Sequence, residues 1–182
     1  IHFNDAELKR LAETGTGVAH CPISNMKLSS GIARIPEMLK LGVRVGLAVD
    51  GSASNDGSNL LEELRTGFLL HRLNSSSAAP TGYDMLKIAT RGSASILGRD
   101  DIGQIAEGMA ADFFLINMDR LSLTGAQFDV SSMLGTVGYK GNVDYTVVNG
   151  RVVVREGRLT GVDEEKITAE ANQCVSRYLV RS

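Results

Sequence analysis

The chain has 182 residues, 43% of them hydrophobic, and a net charge of −2 with its Lys and Arg scattered along its length. So dispersed a charge excludes an electrostatic footprint for nucleic acid, and no apolar run nears the length of a membrane span. Cys21 and Cys174 lie far apart and fit no metal or redox spacing, so the composition reads as a reduced, cytoplasmic protein with one core or parts of two domains.

The chain opens Ile1-His2-Phe3 without Met, and a helix signal follows at once: Asn4 caps, Glu7 stands three residues on, and Leu8, Leu11 and Ala12 share a face that Gly15 can end. Ile1 to Phe3 therefore reads as the tail of an earlier element, with the expectation that this is the C-terminal piece of a longer protein. Gly17 to Cys21 is a short strand, followed by a loop over Pro22-Ile23-Ser24-Asn25. Helical spacing then runs from Ile32 to Leu41, with Pro36 tolerable in a first turn and Gly42 closing it before a strand from Val43 to Val49. A strand–helix–strand unit with so ordinary a crossover implies a parallel pair.

Helices are expected from Leu60 to Leu73, capped by Asn59 and packing through Leu60, Leu61, Leu64 and Phe68, and from Tyr83 to Leu97, packing through Leu86, Ala89, Ala94 and Leu97 and ended by Gly98. To this point the pattern alternates α and β. From Ile102 to Met118 the chain reads as short strands around the turn 107–112, with Phe113-Phe114-Leu115-Ile116 as a buried strand. Tyr145 to Val148, Asn149-Gly150 and Arg151 to Val154 form a strong hairpin signal. Glu156-Gly157-Arg158 turns the chain again, and an amphipathic, charged helix is expected from Asp163 to Leu179. The α/β character ends near residue 100, which divides the chain into 1–100 and a mainly β part, 101–182.

The most informative stretch is Val45-Gly46-Leu47-Ala48-Val49-Asp50-Gly51-Ser52-Ala53-Ser54-Asn55. A buried strand runs directly into a lone carboxylate and then a loop of small polar residues. Parallel strands end this way when a charged group sits at the C-terminal tip, where barrels of parallel strands carry catalytic and metal-binding side chains. Asp-Gly also simply begins many turns, so the stretch alone leaves both readings open.

Three motifs in order give the chain a resemblance to the amidohydrolase superfamily, in its aminohydrolase and chlorohydrolase branch. His20-Cys21-Pro22-Ile23-Ser24-Asn25-Met26-Lys27-Leu28 resembles the family's His-x-Pro-x-Ser-Asn-x-x-Leu stretch after barrel strand seven. Gly46 to Asn55 is similar to the strand-eight Gly-x-x-x-Asp-Gly-x-x-Ser-Asn motif, and Gly103 to Asp112 resembles the segment where such chains leave the barrel. The resemblance implies the C-terminal part of a (β/α)8 metal-dependent hydrolase barrel, followed by part of a small β-sandwich and a C-terminal helix. Ile1 to Glu7 and Ala48-Val49-Asp50-Gly51 look most like the 8-oxoguanine deaminase group, where many relatives have Gly-Thr-Asp-Gly.

It further implies a divalent metal, zinc first and iron second, that activates water to displace ammonia from a purine-type base. Asp50 is then both metal ligand and proton acceptor. His20, Asn25, Gly51, Ser52 and Ser54 are candidates for substrate contact or for supporting the site. For His20 a structural role, donating to a carboxylate or carbonyl, weighs as much, and for Asn25 and the loop residues anchoring and turn geometry are the competing explanations. Cys21 has no partner for nucleophilic chemistry, and His71, on a leucine-rich helix, reads as a surface or packing residue.

The family's complete site also takes a His-x-His after the first strand, a His with a nearby Glu after the fifth and a His ending the sixth, none of them in this chain. The expected partners are a small heterocyclic substrate, water and a second copy of the protein. An s-triazine hydrolase or another nucleobase or nucleoside deaminase on the same scaffold is the nearest alternative, and a non-catalytic fragment or ligand-binding module is the alternative from another class.

Overall fold

The computed structural model describes residues 1–180 and divides them into two compact units, Ile1–Met109 with Met118–Lys140, and Ala110–Asn117 with the residues from Gly141 on. In the first unit, helix α1 (Asp5–Glu13) opens with the expected capping box: the Asn4 side chain accepts from the Glu7 N–H at 3.0 Å, and the Glu7 carboxylate accepts from the Asn4 N–H at 2.7 Å. Strands β1 (Gly17–His20) and β2 (Arg44–Leu47) pair in parallel, with His20 opposite Leu47. Between them run α2 (Pro22–Lys27) and α3 (Ile35–Lys40), so the crossover is helical as the spacing implies.

Two boundaries differ from the sequence expectation. Residues 22–25 form the start of α2 rather than a loop, because Pro22 presets the first turn and the N–H of Ile23 has a side-chain acceptor elsewhere in the fold, the Glu63 carboxylate. The helix expected from Ile32 begins only at Ile35, with Pro36 in its first turn and Arg34 outside helical geometry.

Helix α4 (Leu60–Ser75) is capped by Asn59, whose side chain accepts from the Leu61 N–H. It buries Glu63, Leu64, Gly67, Phe68, Leu70 and His71, while Leu60, expected in the packing face, is exposed. Helix α5 (Gly82–Lys87) continues through a π turn, Ile88–Gly92, into α6 (Ser93–Ile96). The wide turn lies where Gly92 comes so close to the Val45 carbonyl oxygen that no Cβ fits. One residue on, the Ser93 hydroxyl accepts from the Leu47 N–H and donates to the Leu47 carbonyl, each at 3.1 Å. Leu97, expected in the packing face, is exposed. Short helix α7 (Met133–Thr136) completes the unit beside α4 and α5. Leu8, Ile35, Met38, Val45, Leu47, Leu64 and Met85 form its core.

The second unit is a four-stranded antiparallel sheet in the order β3 (Phe113–Leu115), β4 (Tyr145–Val148), β5 (Arg151–Arg155), β6 (Arg158–Leu159). Asn149 and Gly150 both have positive φ, 47° and 76°, as a two-residue hairpin turn with right-handed strand twist requires. The turn expected at 107–112 is present, but residues 102–106 form no strand before it, and β3 stops at Leu115 with Phe114 and Leu115 exposed rather than buried. Helix α8 (Glu164–Val180) forms as its pattern implies but buries none of its residues. No helix of the described residues is long and apolar enough to cross a membrane.

Candidate functional site

Asp50 lies three residues beyond the end of β2, exposed, with a left-handed backbone (φ 66°). Its carboxylate is held from two sides. The Ser24 hydroxyl on α2 donates to Oδ2 at 2.5 Å, and the Gly51 N–H donates to Oδ1 at 2.8 Å. Ser24 first, then the Gly51 amide and Ser54, hold the Asp50 carboxyl below the usual carboxylate range. Even with Ser54 counted beside these two donors, a carboxylate with about four acceptor sites keeps one open.

The loop after Asp50 is tied down at both ends. The Ser54 hydroxyl donates to the Gly51 carbonyl at 2.9 Å, and the Asn55 N–H bonds the same carbonyl at 2.9 Å. Gly51 and Ser52 are exposed. Lys27, at the far end of α2, donates to the Ala53 carbonyl at 3.2 Å and to the Asp56 carboxylate at 2.5 Å. Behind the loop, Glu63 is fully buried and accepts from the Ile23 N–H at 3.0 Å and from the Asn55 amide at 2.5 Å. Burial raises the Glu63 carboxyl above its ordinary range.

His20 closes β1 and is only 2% exposed. Its Nε2 sits 3.0 Å from Nε2 of His71, which is fully buried on α4. His71 is thus a packing residue and not a surface one, and the partner of His20 is an imidazole in place of the expected carboxylate or carbonyl. One Nε2 donates and the other accepts, and burial of both rings favours the neutral form of the pair. Burial, then the neighbouring His71, pushes His20 down to about 3, and burial also lowers His71.

Asn25 lies on α2, half-buried, and lines a cavity of about 440 Å³ together with His20, Cys21, Asp50, Phe3 and Met38. The structure therefore brings Asp50, His20 and Asn25 to one cavity. Gly51, Ser52 and Ser54 belong to the loop below Asp50 and are outside that lining. The Cys21 thiol is pushed up by burial and by the carboxylates of Asp50 and Glu63, which keeps it protonated and a poor nucleophile.

Sequence reasoning missed Ser24, Asn55, Glu63 and His71 as parts of this arrangement. Ser24 and Asn55 stand inside two of the family-like motifs and had that much signal. Glu63 and His71 had none, because Glu63 joins Asn55 to Ile23, 40 residues away, and the partner of His71 is 51 residues away.

A parallel strand pair joined by helices, followed by an antiparallel sheet, makes this an α/β chain with a carboxylate just past the C-terminal end of one parallel strand. The chain belongs to the amidohydrolase family, whose profile matches residues 1–153. It is 44% identical to hydroxydechloroatrazine ethylaminohydrolase of Pseudomonas sp. (strain ADP) over 97% of its length and 37% of that protein's. It is 42% identical to 8-oxoguanine deaminase of Pseudomonas aeruginosa, over 98% of this chain and 39% of the relative. Among solved structures, the zinc complex of atrazine chlorohydrolase from Arthrobacter aurescens TC1 superposes with a TM-score of 0.90 at 35% identity, covering 95% of this chain and 39% of that one. The chain thus spans about two fifths of the length of the relatives it matches.

Proposed function

We propose that this chain forms the C-terminal part of a metal-dependent aminohydrolase, with β1 and β2 as the seventh and eighth strands of a (β/α)8 barrel and β3 to β6 as part of a small β-sandwich. On this reading residues 1–100 belong to the barrel and the sandwich and terminal helix lie within 101–182, while residues 118–140, α7 among them, pack with the first unit. The whole protein removes an exocyclic amine from a purine-type base, 8-oxoguanine first, and releases ammonia. The observation that carries the reading is the Asp50 carboxylate, held ionised at a strand tip with acceptor capacity to spare and facing a cavity.

Asp50 fits a divalent metal as one ligand, since its free lone pairs are hard oxygen donors. Among the described residues no group of three His, Cys, Asp or Glu side chains is placed to hold an ion. A zinc site takes three or more protein ligands, so the chain supplies one ligand and not the whole set. When bound, the metal acts as a Lewis acid that lowers the pKa of water toward neutrality. The residues of this chain then have separable tasks. Asp50 orients the attacking water and takes up its proton at a carboxylate oxygen. Ser24 and the Gly51 amide fix the plane of that carboxylate, and the small side chains at Ser52 and Ser54 leave room beside it. His20 and Asn25 form the cavity wall toward the substrate. Free Cys21 and Cys174 accord with a cytoplasmic protein.

A second reading, hydrolysis of an s-triazine, is favoured by the 44% identity to the ethylaminohydrolase. Product release from the zinc-loaded protein decides between them, assayed with 8-oxoguanine, guanine, adenosine and substituted s-triazines. Ammonia from 8-oxoguanine is the expected result. Chloride or alkylamine from a triazine selects the second reading, and absence of both turnover and zinc binding overturns the proposal. Light scattering of the same preparation tests the homodimer that the family resemblance implies.

A further inference from the structure

Glu63 occupies an unusual place for a carboxylate: fully buried in the first turn of α4, with each oxygen committed to a different segment. Oε2 accepts from the Ile23 N–H at 3.0 Å, at the N-terminus of α2. The next residue, Ser24, is the one that donates to Asp50 Oδ2. Oε1 accepts from the Asn55 side-chain amide at 2.5 Å. Asn55 is itself 2% exposed, its side-chain oxygen accepts from the Ser58 N–H at 3.3 Å, and its own N–H bonds the carbonyl of Gly51. Gly51 is the residue whose amide donates to Asp50 Oδ1. Both arms that grip the Asp50 carboxylate therefore lead back, through one further residue each, to the same buried side chain.

We propose that Glu63 is a positioning residue for Asp50, holding α2 and the 51–55 loop at the separation that aims the Asp50 carboxylate at the metal. The inference rests on the reading of Asp50 as a metal ligand. A carboxylate placed only to satisfy a helix N-terminus would need the Ile23 contact alone. The second contact, to a loop residue from a different part of the chain, is what couples the two walls. A buried carboxylate is costly unless its acceptors are filled, so the arrangement is held in register by both donors at once.

The test uses the full-length, zinc-loaded protein, with zinc affinity measured by competition with a chromogenic chelator and thermal stability followed in parallel. In E63Q the new amide faces the Asn55 amide donor to donor, so one arm is lost while the Ile23 contact remains. Zinc affinity is expected to fall about tenfold, as is common when a group supporting a metal ligand is removed. In E63Q/N55D the polarity is reversed: the amide at 63 donates to the carboxylate at 55, which still accepts from the Ser58 N–H, and the number of carboxylates is unchanged. Zinc affinity is expected to return near the wild-type value. N55A, which keeps the Ile23 contact and frees only the loop, serves if E63Q does not fold and is expected to weaken zinc binding as well.

Wild-type zinc affinity in E63Q or N55A with only a lowered melting temperature overturns the proposal. So does a double variant that regains stability without regaining affinity. D50N separates the role of Glu63 from the role of Asp50 beneath it: wild-type zinc affinity in D50N refutes Asp50 as a ligand, whatever Glu63 does.

Discussion

Ser24 and Asp50, 26 residues apart, meet in a 2.5 Å hydrogen bond in which the hydroxyl donates to Oδ2 of the carboxylate. Ser24 is 1% exposed whereas Asp50 is exposed, so a buried donor holds a carboxylate that faces outward. This aims the remaining lone pairs of Asp50 and favours its ionised form. S24A removes the donor without changing the backbone, and both zinc affinity and kcat/KM of the whole protein are expected to fall about tenfold. S24T, which keeps the hydroxyl, is expected to retain more activity. Chelator competition and steady-state kinetics check both, and equal loss in the two variants would count against the bond.

D50N keeps a side chain that tolerates the left-handed backbone at φ 66° while removing the charge. Hydrolysis is expected to be abolished with the circular dichroism spectrum and melting temperature unchanged, and D50A is likewise expected to be inactive. Normal turnover in either variant refutes the role assigned to this residue.

The buried pair His20 and His71 makes stability pH-dependent. His20 is shifted from the usual 6.5 to about 3, chiefly by burial, and His71 is shifted in the same direction. A group whose folded pKa is lowered binds its proton more readily in the unfolded chain, so its contribution to stability is present above pH 6.5 and is lost as pH falls toward 3. A tenfold difference in proton affinity between the folded and unfolded chain corresponds to about 1.4 kcal/mol, so the loss over that window is on the order of a few kcal/mol. The buried Glu63 carboxyl, shifted upward, opposes it. H71Q keeps a donor facing His20 Nε2 but removes one titrating ring. Urea unfolding between pH 7 and pH 4 is expected to show a shallower acid slope in H71Q than in the wild type, and identical slopes would contradict the assignment.

Gly92 sits in the π turn where the chain crosses β2. A Cβ there meets the Val45 carbonyl oxygen, a backbone atom that cannot swing aside. Replacing Gly by Ala in an ordinary helix stabilises by about 1 kcal/mol, whereas overpacking costs about 1–3 kcal/mol. Since the obstacle is backbone, the second effect wins, and G92A is expected to lower the denaturation midpoint. G98A is expected to be destabilised by its φ of 67° alone, because nothing lies within 4 Å of a Cβ there. Denaturant melts of the two variants check the ordering, with G92A the weaker.

Local chemistry made much of this protein readable from its sequence. The parallel pairing of β1 with β2 follows from the ordinary length of the helical crossover between them, the Asn4–Glu7 capping box, the Asn59 cap and the Asn149-Gly150 hairpin turn depend on residues a few positions apart, and all formed as their patterns imply. The position of Asp50 just past a buried strand was visible for the same reason. Where the chain departs from expectation, a distant partner decides: α2 forms because Glu63 receives its first amide, and the 88–92 turn widens where Gly92 meets β2. The surroundings of Asp50 belong to this second kind. Ser24, Glu63 and the His20–His71 pair are joined across 26, 40 and 51 residues, and no helical or strand periodicity encodes contacts of that span. Sequence determined where the carboxylate stands; only the packing of α2 and α4 around β1 and β2 decided what holds it, because hydrogen-bond partners far apart in the chain meet only once the core has closed.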